Sequence, residues 1–126
     1  MNPPPKRETL AMGELHGIAR FTIAEDNLEE FKRLAAQCVE IVRAQDIGTT
    51  LQYDLYFNDD ESECLVHERY RDSEALVEHA AHLGDLVQAI LETGSVSGEL
   101  LGEPSAELRA KLAGSTVRLF RPFLSM

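Results

Sequence analysis

The sequence predicts an α+β fold in which an antiparallel sheet carries helices on one face. Three observations support this prediction. Runs in which apolar and polar residues alternate, typical of strands, recur along the chain. A helical stripe of apolar residues separates the first two of these runs, and a second helical tract follows the third. The element order is therefore β-α-β-β-α-β with an appended α-β pair, and this order is the ferredoxin-like arrangement.

The first strand is predicted over residues 14–23, because its apolar residues alternate along the chain. The helix that follows is predicted to have Asp26 as its N-cap, with Glu29 reaching back as in a capping box. Its apolar residues recur at helical spacing and predict one buried stripe, formed by Leu28, Phe31, Leu34, Ala35, Cys38, Ile41 and Val42. Gly48 suits the left-handed position that follows a helix, so the helix should end near residues 45–46.

The middle of the chain predicts a hairpin and a second helical tract. Strands are predicted over residues 49–58 and 63–71, joined by a short acidic turn. The tract that follows is capped by Asp72 or Ser73. Gly84 leaves open whether this tract is one helix or two in series.

The last third of the chain predicts the appended elements. Gly94 should end the second helical tract, and a fourth strand is predicted over residues 96–102. A short helix over residues 104–112 and a fifth strand over residues 115–121 complete the fold, and Pro122 stops that strand. The order does not say whether the fifth strand pairs within its own subunit or crosses to another.

The third strand carries apolar groups on both of its faces. Leu65 lies on one face, whereas Cys64 and Val66 lie on the other. Helices on one side of the sheet would leave the second face uncovered. We therefore expect a homodimer in which two sheets pack face to face.

Length and charge limit the partners. The chain has 126 residues, which suits one domain, and its 12 basic and 22 acidic residues give a net charge of −10. This charge opposes binding to nucleic acids and anionic membranes. Residues 1–12, with three consecutive prolines, are expected to form a flexible arm ahead of a single domain over residues 13–126. Neither a secretory signal nor a membrane-spanning run is recognisable, so a cytoplasmic location is expected.

The segment IGTTLQYDLYFNDDESECLVHERYRDSEALVEHAAHL resembles the antibiotic biosynthesis monooxygenase domain of the dimeric α/β-barrel superfamily. That family shows a glycine-threonine entry to strand two, a strand tyrosine, and the pattern Glu-x-Trp/Tyr-x-Asp/Ser-x-x-Ala-Leu-x-x-His. The matching residues here are Gly48, Thr49, Tyr53, Glu68, Tyr70, Asp72, Ala75, Leu76 and His79. The resemblance spans roughly residues 14–121 and implies a dimeric α/β barrel.

The resemblance implies a cofactor-independent monooxygenase that oxidises a small quinol-like, phenolic or polyketide aromatic substrate with molecular oxygen. Such an enzyme needs a dry pocket, a base and a hydrogen-bond donor. One alternative is a non-catalytic dimer that binds a small ligand or serves a stress response, and another is a haem-binding protein. Haem degradation is disfavoured because Trp is absent and Ala19 stands where haem-degrading relatives carry Asn. Val66 likewise replaces an Asn of the polyketide oxygenases.

Three residues are candidates for catalysis. His79 would move protons or ligate haem iron, and its alternative is a core histidine held by one carbonyl group. Tyr70 would orient the substrate, or it packs as strand tyrosines commonly do. Glu68 would support proton transfer as a base, or it is a buried carboxylate tied to Arg20 or Arg118.

Further residues complete the expected site. Tyr53, Phe57 and His82 are candidates for substrate binding. We expect no cofactor and no metal, because His79 and His82 lack a nearby third ligand in the sequence. His16 and His67 are interpreted as structural or surface residues, and the two cysteines, Cys38 and Cys64, are interpreted as buried thiols.

Overall fold

The computed structural model describes residues 13–126, so the predicted arm over residues 1–12 lies outside the described residues. Five strands form the sheet, namely Leu15–Ile23 (β1), Thr50–Phe57 (β2), Glu63–Tyr70 (β3), Gly94–Leu101 (β4) and Val117–Phe120 (β5). Four α-helices accompany them, namely Leu28–Gln45 (α1), Ser73–Leu83 (α2), Asp85–Leu91 (α3) and Ala106–Leu112 (α4). No helix in the described part of the chain is long and apolar enough to cross a membrane.

The sheet has the strand order β2-β3-β1-β4-β5, which confirms the predicted ferredoxin-like fold. The first four strands pair antiparallel. The appended strand β5 differs, because it pairs parallel to β4 in the same chain, with Leu119 opposite Leu100. The parallel direction follows from α4, which crosses from the end of β4 back to its start.

The predicted cap at Asp26 is wrong. A short 3₁₀ turn, Glu25–Asn27, precedes α1, and the helix begins at Leu28 without a side-chain cap. The Asn27 side-chain amide instead donates to the carbonyl oxygen of Thr93, 3.3 Å away. A long-range contact has thus replaced the local capping box.

The second helical tract is two helices in series, because Gly84 separates α2 from α3 with a φ of +53°. Asp72 caps α2 by accepting a hydrogen bond from the Ala75 amide at 2.8 Å.

Gly94 begins β4 and does not end the preceding helix, so this strand starts two residues earlier than predicted. A Cβ at Gly94 would lie 1.9 Å from the Thr22 carbonyl oxygen, so the close approach of β4 to β1 requires glycine there.

All four helices cover one face of the sheet, and the core lies between them. One buried cluster packs α1 and α3 on the sheet, and it contains Ile23, Phe31, Leu34, Ala35, Cys64, Val66 and Ile90. A second cluster packs α2 and α4 on the sheet, and it contains Leu15, Tyr70, Ala75, Leu100 and Leu108. Cys38 and Cys64 are buried and free, as expected.

The other face of the sheet, called the open face below, carries the alternate residues of each strand. By register these include His16, Ile18 and Arg20 of β1, Leu65, His67 and Arg69 of β3, Tyr56 of β2, Leu101 of β4 and Phe120 of β5. Tyr56, Leu101 and Phe120 are exposed there. Leu65 gives this face an apolar group on β3, as predicted, and charged groups lie beside it.

Candidate active site

A cavity of about 330 Å³ lies between the helices and the covered face of the sheet. Its wall is mostly apolar and includes Phe21, Phe31, Leu55, Val66 and Leu83. Its polar side chains include Tyr53, Glu68, Tyr70 and His79, and no lysine or arginine is among the described residues that line it. A larger surface groove of about 1230 Å³ runs beside α2 and α4, but none of the predicted site residues line it. The cavity of about 330 Å³, which four of the predicted site residues line, is therefore the candidate site.

His79 projects from α2 toward the sheet and is 5% exposed. Its Nδ1 lies 2.7 Å from Asp46 Oδ2, and its Nε2 lies 3.6 Å from Glu68 Oε1. The imidazole ring contacts Tyr53 and Tyr70, with centroid distances of 5.4 and 5.2 Å. A carboxylate, and not the carbonyl group considered from the sequence, is the hydrogen-bond partner that holds this histidine.

Asp46 is the site residue that the sequence reasoning missed. It follows the last turn of α1 and is 2% exposed, and its carboxylate accepts hydrogen bonds from three side chains. The donors are His79 at 2.7 Å, His82 at 2.6 Å and Thr50 at 2.7 Å. Burial opposes the charge, but these hydrogen bonds outweigh it and lower the pKa of Asp46. An acidic residue at a helix C-terminus, where the helix dipole disfavours negative charge, was the available signal.

An ionised Asp46 determines the tautomer of His79. A carboxylate only accepts hydrogen bonds, so the proton of the neutral imidazole resides on Nδ1. Nε2 then carries a free lone pair on the side of Glu68 and the cavity. Nε2 can therefore accept a proton in chemical terms, and Asp46 would stabilise an imidazolium at His79.

Glu68 and Tyr70 lie two residues apart on β3 and both line the cavity. The Tyr70 hydroxyl donates to Glu68 Oε1 at 2.5 Å. Burial raises the pKa of Glu68, while the hydrogen bond from Tyr70 and the proximity of His79 partly offset that effect. Burial and the neighbouring Glu68 raise the pKa of both tyrosines, so Tyr53 and Tyr70 stay neutral at ordinary pH.

The structure brings together four of the six predicted site residues. Tyr53, Glu68, Tyr70 and His79 all line the cavity. Phe57 and His82 are not on its wall. Phe57, near the end of β2, packs against Phe31 with 6.1 Å between ring centroids, and His82 hydrogen-bonds Asp46 with a side chain that is 31% exposed.

The arginines proposed as partners of Glu68 lie on the open face. Arg20 is 3.7 Å from Glu99, and the Arg118 guanidinium lies 5.1 Å from the Phe120 ring centroid. His67 is also on the open face, where its Nδ1 is 3.1 Å from the Gln52 amide nitrogen.

Within residues 13–126, no group of three or more His, Cys, Asp or Glu side chains is positioned to hold a metal ion.

The sequence model of the family described as "Antibiotic biosynthesis monooxygenase" matches residues 15–93. The chain belongs to the antibiotic biosynthesis monooxygenase family. This membership confirms the resemblance seen in the sequence, and the matched region runs from β1 to the residue before β4.

Solved structures extend the likeness beyond the matched region. MupZ from Pseudomonas fluorescens is 24% identical with a TM-score of 0.79, and the alignment covers 90% of this chain and 93% of MupZ. Rv0793 from Mycobacterium tuberculosis is 28% identical with a TM-score of 0.64, covering 71% of this chain and 93% of Rv0793. A protein described as an antibiotic biosynthesis monooxygenase is 27% identical with a TM-score of 0.59, covering 68% and 92%. No curated protein matches the chain by sequence.

Proposed function

We propose that this protein is a cofactor-independent monooxygenase that oxidises a small neutral quinol-like or phenolic aromatic substrate in the cavity. The observation that carries the proposal is the Asp46–His79 pair, which presents the Nε2 lone pair to an apolar space of about 330 Å³. This volume is at the lower end of the range of about 300–1,000 Å³ that small-molecule pockets span. Family membership supports the same reaction class.

The reaction begins with proton removal. His79 Nε2 takes a proton from the substrate hydroxyl or its keto tautomer, and Asp46 stabilises the imidazolium. The electron-rich anion then reduces oxygen and forms a carbon–oxygen bond to one oxygen atom. The peroxide takes up a proton, and loss of water leaves a new carbonyl group. In the keto tautomer the reacting carbon is a methylene group. One methylene group and one O₂ thus give one carbonyl group and one water, with all four electrons supplied by the substrate.

Glu68 and Tyr70 would assist the step in which the peroxide is protonated. The Tyr70 hydroxyl is already donated to Glu68 Oε1, so we assign substrate contact to the Glu68 carboxyl, with Tyr70 holding it in place. Protonated Glu68 is the group that would donate to the peroxide. Because no lysine or arginine is on the described wall, the cavity favours neutral substrates over carboxylates or phosphates.

We also propose that the working unit is a homodimer in the cytoplasm, with a second copy covering the open face. Tyr56, Leu101 and Phe120 expose apolar surface there. Light scattering of the purified protein should give twice the chain mass of 14.0 kDa. Leu101→Glu, which places charge on this face, should shift the mass toward that of one chain. A monomer at micromolar concentration in the wild type would contradict the dimer.

Oxygen uptake with a panel of quinols and naphthols tests the enzyme. We expect consumption above the spontaneous rate, and a loss of roughly 100-fold or more in His79→Gln, because a positioned base contributes about 10²–10⁴-fold. The matched control is His67→Gln, a histidine on the open face, which should retain activity. Oxygen uptake that is absent, or equal in the two variants, would contradict the proposal.

A non-catalytic ligand-binding dimer is the second candidate. It is favoured by one observation: in the described chain, every buried side-chain polar atom has a hydrogen-bond partner, as in a satisfied core. Calorimetry under nitrogen distinguishes the two functions. Binding of a quinol without any oxygen consumption in air would support the second candidate.

A further inference from the structure

Two proton-transfer groups of opposite sense face the same space. His79 Nε2 and Glu68 Oε1 both border the cavity and lie 3.6 Å apart. This distance exceeds the 2.7–3.2 Å of ordinary N–H···O hydrogen bonds, so the two groups do not hydrogen-bond each other. Both remain available to a third molecule in the cavity.

The two groups differ in what they can offer. His79 presents a lone pair at Nε2, because its Nδ1 proton is donated to Asp46. Glu68 Oε1 already accepts from Tyr70, so a proton on this carboxyl resides on Oε2. Oε2 lies on the side of Gly17, where an added Cβ would approach it to a tight 3.4 Å. Both residues line the cavity, so the absence of a side chain at Gly17 keeps this oxygen open to a small ligand.

The surroundings favour a neutral carboxyl group at Glu68. Its closest potential cation is His79, and no lysine or arginine belongs to the described cavity wall. A buried carboxylate without a permanent counter-charge is costly, whereas the protonated form needs only hydrogen bonds. A carboxyl group that favours its protonated form thus lies 3.6 Å from the Nε2 atom of His79.

We propose that this pair catalyses a second reaction that needs no oxygen, the keto–enol interconversion of a small neutral ketone. The proposal rests on the assignment of His79 as the base in the proposed function, but it requires neither oxygen nor oxidation. His79 Nε2 takes a proton from the carbon next to the carbonyl, and Glu68 Oε2 gives its proton to the carbonyl oxygen. The C–H electron pair becomes the carbon–carbon double bond, and the carbonyl π pair goes to oxygen. The reverse step restores the ketone with a solvent proton on carbon.

Apolar walls suit a ketone that has few other polar groups. Phe21, Leu55, Val66 and Leu83 offer contacts to rings and not hydrogen bonds. A bicyclic ketone such as 2-tetralone is neutral and exchanges its C1 protons slowly without a catalyst. It is therefore a suitable probe.

Deuterium exchange tests the proposal. The full chain is mixed with 2-tetralone in D₂O under argon, and loss of the C1 proton signal is followed by NMR. We expect exchange above the buffer rate, lowered about 100-fold or more in His79→Gln and about tenfold or more in Glu68→Gln. Glu68→Gln keeps an acceptor for Tyr70 but has no acidic proton to transfer. His67→Gln, on the open face, should exchange like the wild type.

The outcomes separate this proposal from the oxygenase. Exchange at the buffer rate in the wild type, or equal rates in His79→Gln and His67→Gln with both folded by circular dichroism, overturns the second reaction. If His79→Gln does not fold, Glu68→Gln decides in its place. Quinol-dependent oxygen uptake without ketone exchange would support the oxygenase and overturn the keto–enol reaction. Ketone exchange without oxygen uptake would support the acid–base pair and overturn the oxygenase.

Discussion

The two faces of the sheet carry similar residue types in very different environments. The covered face holds His79 against Glu68 and Asp46, all enclosed by helices. The open face holds His16 and His67, with ring centroids 6.1 Å apart, beside charged residues that reach solvent. Histidine and glutamate are common to both faces. Enclosure, not residue type, therefore distinguishes a candidate active site from a polar surface, because only desolvated groups gain strong electrostatic coupling.

Of the variants considered, Asp46→Asn should change the environment of the covered face most strongly. The amide can donate where the carboxylate only accepts, so the His79 tautomer that leaves Nε2 free loses its support. We expect oxygen uptake to fall by about 10²–10⁴-fold. Asp54→Asn, on the exposed side of β2, should change the rate by less than about twofold. Equal losses in the two variants would show that enclosure does not confer the function.

Phe31→Ala compares the packing of the two faces. Phe31 is 1% exposed beneath the cavity, whereas Phe120 on the open face is 42% exposed. Truncation of a buried phenylalanine costs about 3–5 kcal/mol, so Phe31→Ala should lower the free energy of unfolding by that amount. Phe120→Ala should cost less than about 1 kcal/mol in the single chain. Because the proposed dimer would cover Phe120, both variants are measured by urea denaturation in the Leu101→Glu background, in which the chain should be monomeric, and similar losses there would contradict the contrast.

The two carboxylates of the site should have pH dependences of opposite sign. The pKa of Asp46 is lowered on folding, so its contribution to stability is present above the unfolded value of about 3.9 and is lost as pH falls through the folded pKa. The pKa of Glu68 is raised, so its contribution is present below the unfolded value of about 4.3 and is lost as pH rises through the folded pKa.

Urea titrations of two variants test these signs. Relative to the wild type, Glu68→Gln should gain stability as the pH rises from about 4 to 8. Asp46→Asn should lose stability at neutral pH, and its deficit should shrink below about pH 4. Parallel trends in the two variants would contradict the opposite shifts.

Gly17→Ala should have the smallest effect on the site. The added Cβ would lie 3.4 Å from Glu68 Oε2, which is tight but can be relieved by a small shift of the carboxyl. We expect KM to rise by about tenfold, as for one extra methyl group in a pocket, with kcat changing less. A large loss of kcat with unchanged KM would place Gly17 in the catalytic step.

Much of the fold follows from alternation and helical spacing, and part of the site follows with it. Glu68 and Tyr70 share a strand face by simple parity, and His79 lies on the apolar stripe of α2. The acidic residue at the end of α1 was a signal for Asp46, but the sequence could not reveal its histidine partners, which lie 33 and 36 residues away and meet it only when α2 docks on α1. The prediction of how α1 begins was wrong for a related reason, because the Asn27 side chain hydrogen-bonds Thr93, which is 66 residues away in the sequence.

The Asp46 carboxylate joins the end of α1, the start of β2 and one face of α2 through side-chain bonds to Thr50, His79 and His82. Its own carbonyl also accepts from the amides of Thr49 and Thr50. Separating any of these elements would break hydrogen bonds to a charged group, each worth about 1.5–3 kcal/mol, so local opening there should be rare. Amide hydrogens at this junction should therefore exchange more slowly than those of the exposed turn at residues 58–60. The same bonds hold His79 in one orientation before any substrate arrives.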